Sequence, residues 1–165
     1  GGMNPTRLGN AHPNIVPYQS FVVADGHLIV AVGNDTQFGR FAEVLGLAEL
    51  ADDDRFATNA ARVENRDALV PLLQKAMLAR GRDEWLALFE QSGVPAGPIN
   101  TVADVFAEPQ IQSRGMQVTL PHALNPGLQL VGNPIKLSRT PVQYRTAPPM
   151  LGEHTEDVLG EIIAS

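Results

Sequence analysis

The chain contains no cysteine. That absence excludes a disulfide framework, a thiolate nucleophile and any Cys-based zinc site together. No apolar run is long enough to cross a membrane. No cluster of Lys and Arg exists to meet phosphates, and the net charge is −6, so a nucleic-acid partner is not expected. The four histidines, His12, His27, His122 and His154, share no spacing that would place two on one helix face, and no metal site is expected. Neither a GxSxG elbow nor a glycine-rich phosphate loop with lysine is present. No secretory leader pattern opens the chain, and the cytoplasm is the expected location. The single tryptophan, Trp85, sits within a helical apolar pattern, which reads as core rather than cofactor stacking.

What is present is the composition of an ordinary globular protein, 165 residues with 44% hydrophobic and 18% charged. That length allows one domain, or one domain with an appendage, and a sizeable core. Prolines and glycines thicken before residue 20 and after residue 120, which suggests extended segments flanking a helical middle. The chain reads as α+β: a β-hairpin, then helices, then further short antiparallel strands. The organising stretch is Tyr18–Gly46. Two β-branched-rich runs, near 20–24 and 27–32, are joined by Asp25-Gly26, a pair suited to the positive φ values of a type I′ turn. Phe38, Phe41, Ala42 and Leu45 follow at helical spacing. Asn34 is placed to cap this helix, with Gln37 in the capping-box position and Gly46 as the stop, giving a helix from about Asp35 to Leu45.

Further along, Leu47–Leu50 forms a short turn ahead of Asp52-Asp53-Asp54, whose acids lack the alternating spacing of a cation loop and read as a solvated turn. Phe56 is placed in the core. Leu69, Leu72, Leu73, Ala76 and Met77 make an amphipathic stripe with Pro71 in its first turns and Gly81 closing it. A second helix carries Trp85, Leu86, Leu88 and Phe89 and stops at Gly93. Residues 94–100 read as a stiff turn. Thr101 then caps a short helix through Phe106, and Gln110–Arg114 forms another turn beyond Pro109. Strands are expected over Met116–Leu120, Leu128–Val131 and Ile135–Leu137. Arg139–Pro149 is extended, and a last helix beginning at His154 or Thr155 places Val158, Leu159, Ile162 and Ile163 on one face.

Two features lie where chemistry is often found. One is the polar, proline-stiffened segment Asn10-Ala11-His12-Pro13-Asn14, which is either a ligand-facing loop or a linker into the domain. The other is Asp35, where a strand gives way to a helix; there an acid is stabilised by the helix dipole, and capping is the reading the residues alone favour.

Several segments together resemble a known family. They are residues 9–19, Asp25-Gly26, residues 32–38, residues 55–59 with Arg62-Val63 and Asn65-Arg66, residues 93–99, residues 131–135 and residues 151–155. Each is weak alone, but their succession resembles the C-terminal part of a class III CoA-transferase. That family includes the formyl-CoA and carnitine-CoA transferases (CaiB/BaiF) and α-methylacyl-CoA racemase. The resemblance implies an α+β small domain over residues 18–138, preceded by a linker or site-facing loop (1–17). An extended linker and helix (139–165) would then return to a large domain lying before Gly1.

The implied activity is transfer of CoA between carboxylic acids by covalent catalysis: an aspartate attacks an acyl-CoA thioester to give a mixed anhydride, which the CoA thiolate re-attacks. That aspartate is expected upstream, so no catalytic residue is assigned here and the chain alone is expected to be inactive. In the formyl-CoA transferases a glycine-rich loop covers the site at the place of His12–Val16, where this chain has the bulkier His-Pro-Asn-Ile-Val. In the racemases a glutamate stands at Asp35, although the Asn34-Asp35 pair is more transferase-like. Asn10, His12, Pro13, Asn14, Asn34 and Asp35 are therefore the candidate acyl- or CoA-facing residues. The implied partners are an acyl-CoA, a carboxylic acid and a second subunit; the CoA thioester is a substrate, and no covalently bound cofactor is expected. A racemase-like enzyme or a non-catalytic dimerisation module are the alternatives.

Overall fold

The computed structural model describes residues 7–164; the first six residues of the expected leading loop lie outside them. The chain divides into two compact units, one ending at Ile99 and the other beginning at Asn100.

The first unit is a three-stranded antiparallel sheet, in the order β1-β2-β3, carrying four helices. β1 (Tyr18–Val23) and β2 (Gly26–Ala31) form the expected hairpin. Phe21, Val23, Leu28 and Val30 are buried, while Val22 and Ile29 face outward, as the period-two pleat requires. The turn lies one residue earlier than expected. Val23 pairs with Gly26, so Ala24 and Asp25 are its central residues. Among the described residues only glycines have positive φ, and Gly26 is not one of them, so the type I′ geometry is not adopted. The reason is tertiary: the Ala24 amide donates to the Arg80 carbonyl (3.0 Å) and Asp25 Oδ1 accepts from the Arg82 amide (2.7 Å).

α1 (Asp35–Val44) starts at the expected cap, where Asn34 Oδ1 accepts from the Gln37 amide, and Gly46 takes a left-handed φ of 72° beyond its end. Gln37 reaches back one residue further than in a standard capping box, accepting from the Gly33 amide (2.7 Å). A 3₁₀ turn at Ala48–Ala51 and the Asp52–Asp54 turn follow, and Phe56 is fully buried. α2 (Asn59–Glu64) was not expected; Thr58 caps it through the Ala61 amide. α3 (Arg66–Met77) buries Leu69, Leu73 and Met77 and contains Pro71. Leu72 is 45% exposed, because it lies a quarter-turn off the buried stripe. α4 (Arg82–Ser92) ends on left-handed Gly93 as expected. Gly81, however, belongs to the start of α4 and not to the end of α3, whose C-cap is Leu78.

Residues 94–100 are more than a turn. β3 (Ala96–Pro98) pairs with β2 through Val30↔Ala96, Ile29↔Gly97 and Leu28↔Pro98. A proline lacking its N–H is tolerated here because β3 is an edge strand. The core gathers the sheet residues with Phe38, Phe41, Phe56, Leu69, Leu73, Met77, Trp85 and Phe89. Trp85 stacks on Phe89 and donates its indole N–H to the Met77 carbonyl, which confirms it as core.

The second unit opens with α5 (Val102–Ala107), started by a Thr101/Asp104 capping box, and α6 (Pro109–Ser113). β4 (Gln117–His122) and β5 (Asn125–Val131) pair antiparallel with an irregularity between Leu120 and His122. Ile135–Leu137 is not a strand. The Ile135 amide donates to Asn133 Oδ1 (2.8 Å), an Asx turn that takes the donor a ladder would need. α7 (Thr155–Ala164) leaves Val158, Leu159, Ile162 and Ile163 exposed. No helix among the described residues is long and apolar enough to cross a membrane.

Candidate functional site

The leading loop runs beside the outer edge of β1, and its residues fall into two groups. Asn10 is a strut. Its Oδ1 accepts from the Ser20 amide (3.0 Å) and its Nδ2 donates to Ser20 Oγ (2.6 Å). The His12 amide donates to the Tyr18 carbonyl (2.9 Å). Further along the same edge, Gln74 of α3 accepts from the Val22 amide and donates to its carbonyl. Together these groups satisfy an edge that would otherwise invite another strand.

From His12 to Val16 the loop is held by its carbonyls. Arg66 Nη2 donates to the carbonyls of His12 (2.8 Å) and Pro13 (2.9 Å). Asn59 Nδ2 donates to the Asn14 carbonyl (2.8 Å), while its Oδ1 accepts from the Val16 amide (3.1 Å). Arg62 Nε donates to the Val16 carbonyl (2.7 Å). Asn59 and Arg62 lie on α2 and Arg66 opens α3, so one helical stretch grips the whole segment. All three lie in the segments that carry the family resemblance. No local signal assigns them a role in the loop, because their loop partners are more than forty residues away in sequence.

Arg62 also joins the loop to Asp35. Its side chain has no exposed surface, whereas that of Asp35 is 56% exposed, and Nη2 meets Asp35 Oδ1 at 2.8 Å. The guanidinium donates to the Phe56 carbonyl as well and lies over the Phe38 ring at 4.3 Å. A buried cation is tolerated only with such partners. Asp35 is thus a counterion at the start of α1, and Asn34 is that helix's cap. The two arms of the expected site, the loop and the strand-to-helix junction, are brought together by Arg62.

The second group consists of polar ends left free. His12 stacks on Tyr18 (5.4 Å between centroids, 13° between planes). Its Nδ1 accepts from the Asn14 amide (3.1 Å), which in the neutral ring places the proton on Nε2. No partner for Nε2 or for the Asn14 side-chain amide is found among the described residues. Arg66 is likewise incompletely matched: it forms no ion pair among the described residues, and its buried Nη1 has no protein hydrogen-bond partner. Pro13 contributes only its carbonyl and its ring. Among the described residues no cluster of three or more His, Asp or Glu could hold a metal ion. The Arg55 guanidinium beside Asp53, hydrogen-bonded to it, holds that carboxyl below its ordinary value, at a surface position remote in role from this loop.

The sequence model of CoA-transferase family III matches residues 1–155. The chain is 45% identical over 161 residues to the succinate–glutarate CoA-transferase of Agrobacterium fabrum, covering 98% of this chain and 40% of that protein. It is 38% identical over 163 residues to the succinyl-CoA:glutarate CoA-transferase of Homo sapiens, covering 99% of this chain and 37% of that protein. The crystal structure of a CaiB/BaiF family protein from Brucella suis superposes with a TM-score of 0.85 at 48% identity, over 98% of this chain and 41% of that one. The chain therefore spans about two fifths of the length of the relatives it matches.

Proposed function

The chain belongs to CoA-transferase family III, and on that footing we propose that it is the C-terminal part of an acyl-CoA:carboxylate CoA-transferase. Its residues 18–138 would act as the small domain that covers the acyl-CoA site, with 139–165 returning to the larger part of the enzyme. The observation that carries this reading is the gripped loop. His12–Val16 falls where the resemblance to the formyl-CoA transferases puts a covering loop, and Asn59, Arg62 and Arg66 hold it by its carbonyls while His12 Nε2 and the Asn14 side-chain amide have no partner among the described residues. A segment so held can shape a pocket without supplying the nucleophile.

The acceptor is a short dicarboxylic acid, since the relatives from Agrobacterium fabrum and Homo sapiens are both named for succinate or succinyl-CoA with glutarate. In the reaction, a carboxylate in the remainder of the enzyme displaces CoA thiolate from the acyl-CoA, giving a mixed anhydride. The thiolate returns to the enzyme carbonyl and releases the first acid. The second acid displaces the thiolate to give a second mixed anhydride, and the thiolate then attacks that acid's carbonyl, releasing the new thioester and the free enzyme carboxylate, so no water is consumed. CoA is a substrate throughout, and a cytoplasmic homodimer is the expected assembly.

The test is to incubate the full-length protein containing this chain with succinyl-CoA and glutarate. Glutaryl-CoA and free succinate should form in equal amounts. Release of free CoA with no new thioester would make the protein a hydrolase and overturn the proposal.

A further inference from the structure

The six candidate residues differ in what they have left to offer a substrate. Asn10 commits both amide atoms to Ser20. Asn34 commits its oxygen to the start of α1, and Asp35 is an anion already facing Arg62. Pro13 has no side-chain donor. Asn34 Nδ2 and the Asn14 side-chain amide also have no partner among the described residues, but His12 is the one candidate whose ring is stacked and whose carbonyl is held by Arg66. Stacking on Tyr18 sets its plane, the Asn14 amide on Nδ1 sets its tautomer, and the Arg66 and Tyr18 contacts set its backbone. What remains without a partner among the described residues is Nε2, which carries the N–H of the neutral ring.

The local charge favours an anion. Arg66 lies directly behind the loop, 2.8 Å from the His12 carbonyl, with no ion-pair partner among the described residues and one buried nitrogen unmatched. A cation uncompensated by protein raises the potential at the loop it supports.

We infer that His12 is a specificity-determining residue: its Nε2–H donates to the distal carboxylate of the dicarboxylic acid, the end that does not react, with Arg66 positioning the loop and supplying positive potential from behind. This rests on the proposed transferase reading and names the residue that tells a diacid from a monoacid. A site built to hydrogen-bond a polar end discriminates against a substrate lacking it, because the donor is then left unpaired.

The experiment compares glutarate with valerate, a monoacid of the same chain length, as acceptors from succinyl-CoA in the full-length enzyme. His12→Phe keeps a ring to stack on Tyr18 and removes the donor; His12→Gln restores an amide N–H at similar reach. The ratio of kcat/KM for glutarate over valerate should fall about tenfold in His12→Phe, the size of one lost charge-assisted hydrogen bond. The loss should lie mainly in the KM for glutarate, and His12→Gln should recover most of it. A ratio the same in His12→Phe as in the wild type, with glutarate still used, overturns the assignment while leaving the transferase reading intact. Absence of glutaryl-CoA from the wild-type reaction overturns that reading and the assignment with it.

Discussion

At the scale of single residues, the Arg62–Asp35 pair shows how a charge flagged for chemistry can be committed to structure. Arg62 is wholly enclosed, and among the described residues Asp35 is its one carboxylate partner. Removing Asp35 leaves a buried cation with only two backbone carbonyls and an aromatic face. Asp35→Ala should therefore destabilise the protein by about 3 kcal/mol, the cost of an uncompensated buried charge, read as a lower urea midpoint with an unchanged slope. A stability within experimental error of wild type would show that water replaces the carboxylate, and Asp35 would return to the pool of substrate-facing candidates. Asp53 makes a milder case. Hydrogen bonds from the Arg55 side chain and amide hold its carboxyl below the ordinary value, so the charged form favours the folded state. That contribution is present above the unfolded value, about pH 3.9, and is lost as pH falls through the lower folded value. The Tm difference between wild type and Asp53→Asn should be small at neutral pH, because the pair is at the surface, and should vanish in acid. The Asn34 cap was legible in the sequence because its partner is three residues away. The Arg62 contacts to Asp35 and Val16 were not, because they span 27 and 46 residues.

At the scale of elements, the hairpin turn and α4 explain each other. The N-cap of α4 is Gly81, which has no side chain to cap the helix, and Asp25 supplies the missing acceptor by accepting from the Arg82 amide. A cap borrowed across 57 residues cannot be read from local pattern. It also accounts for the turn lying at Ala24-Asp25, since Asp25 must reach α4 instead of sitting before a type I′ glycine. Residues 94–100 escaped in the same way: two prolines suggest a turn, and only the neighbouring β2 edge makes a strand of the residues between them. Asp25→Ala should cost about 1 kcal/mol, as for a lost N-cap. A Cβ on Gly81 would lie 2.8 Å from Asp25 Oδ2, so Gly81→Ala should displace the same carboxylate and cost a similar amount. The double variant should then be no worse than either single one, a coupling that a double-mutant cycle measures. Additive costs would mean that the two residues do not share one interaction.

At the scale of the whole molecule, the first unit has a packed core, whereas the second ends in an amphipathic helix with its apolar face open. Val158, Leu159, Ile162 and Ile163 are all exposed on α7, a pattern that usually marks a surface awaiting a partner. The proposed reading gives that partner as the larger part of the enzyme, and it makes a demand on catalysis as well. Acyl transfer by a covalent route needs a carboxylate free to attack and held against the thioester, and positioning alone can supply roughly 7–11 kcal/mol of the barrier. Asp35 meets neither need: one of its oxygens is 2.8 Å from a buried guanidinium that draws on its charge. The 165-residue chain by itself should therefore give no glutaryl-CoA from succinyl-CoA and glutarate and no acyl adduct by mass spectrometry. The full-length protein under the same conditions is the control. Turnover by the isolated chain would place the nucleophile within it, and Asp35→Asn would be the first variant to make. With none, the proposed role of covering the site and selecting the acid is the one left to test, and changing the loop should then shift acid preference within the complete enzyme.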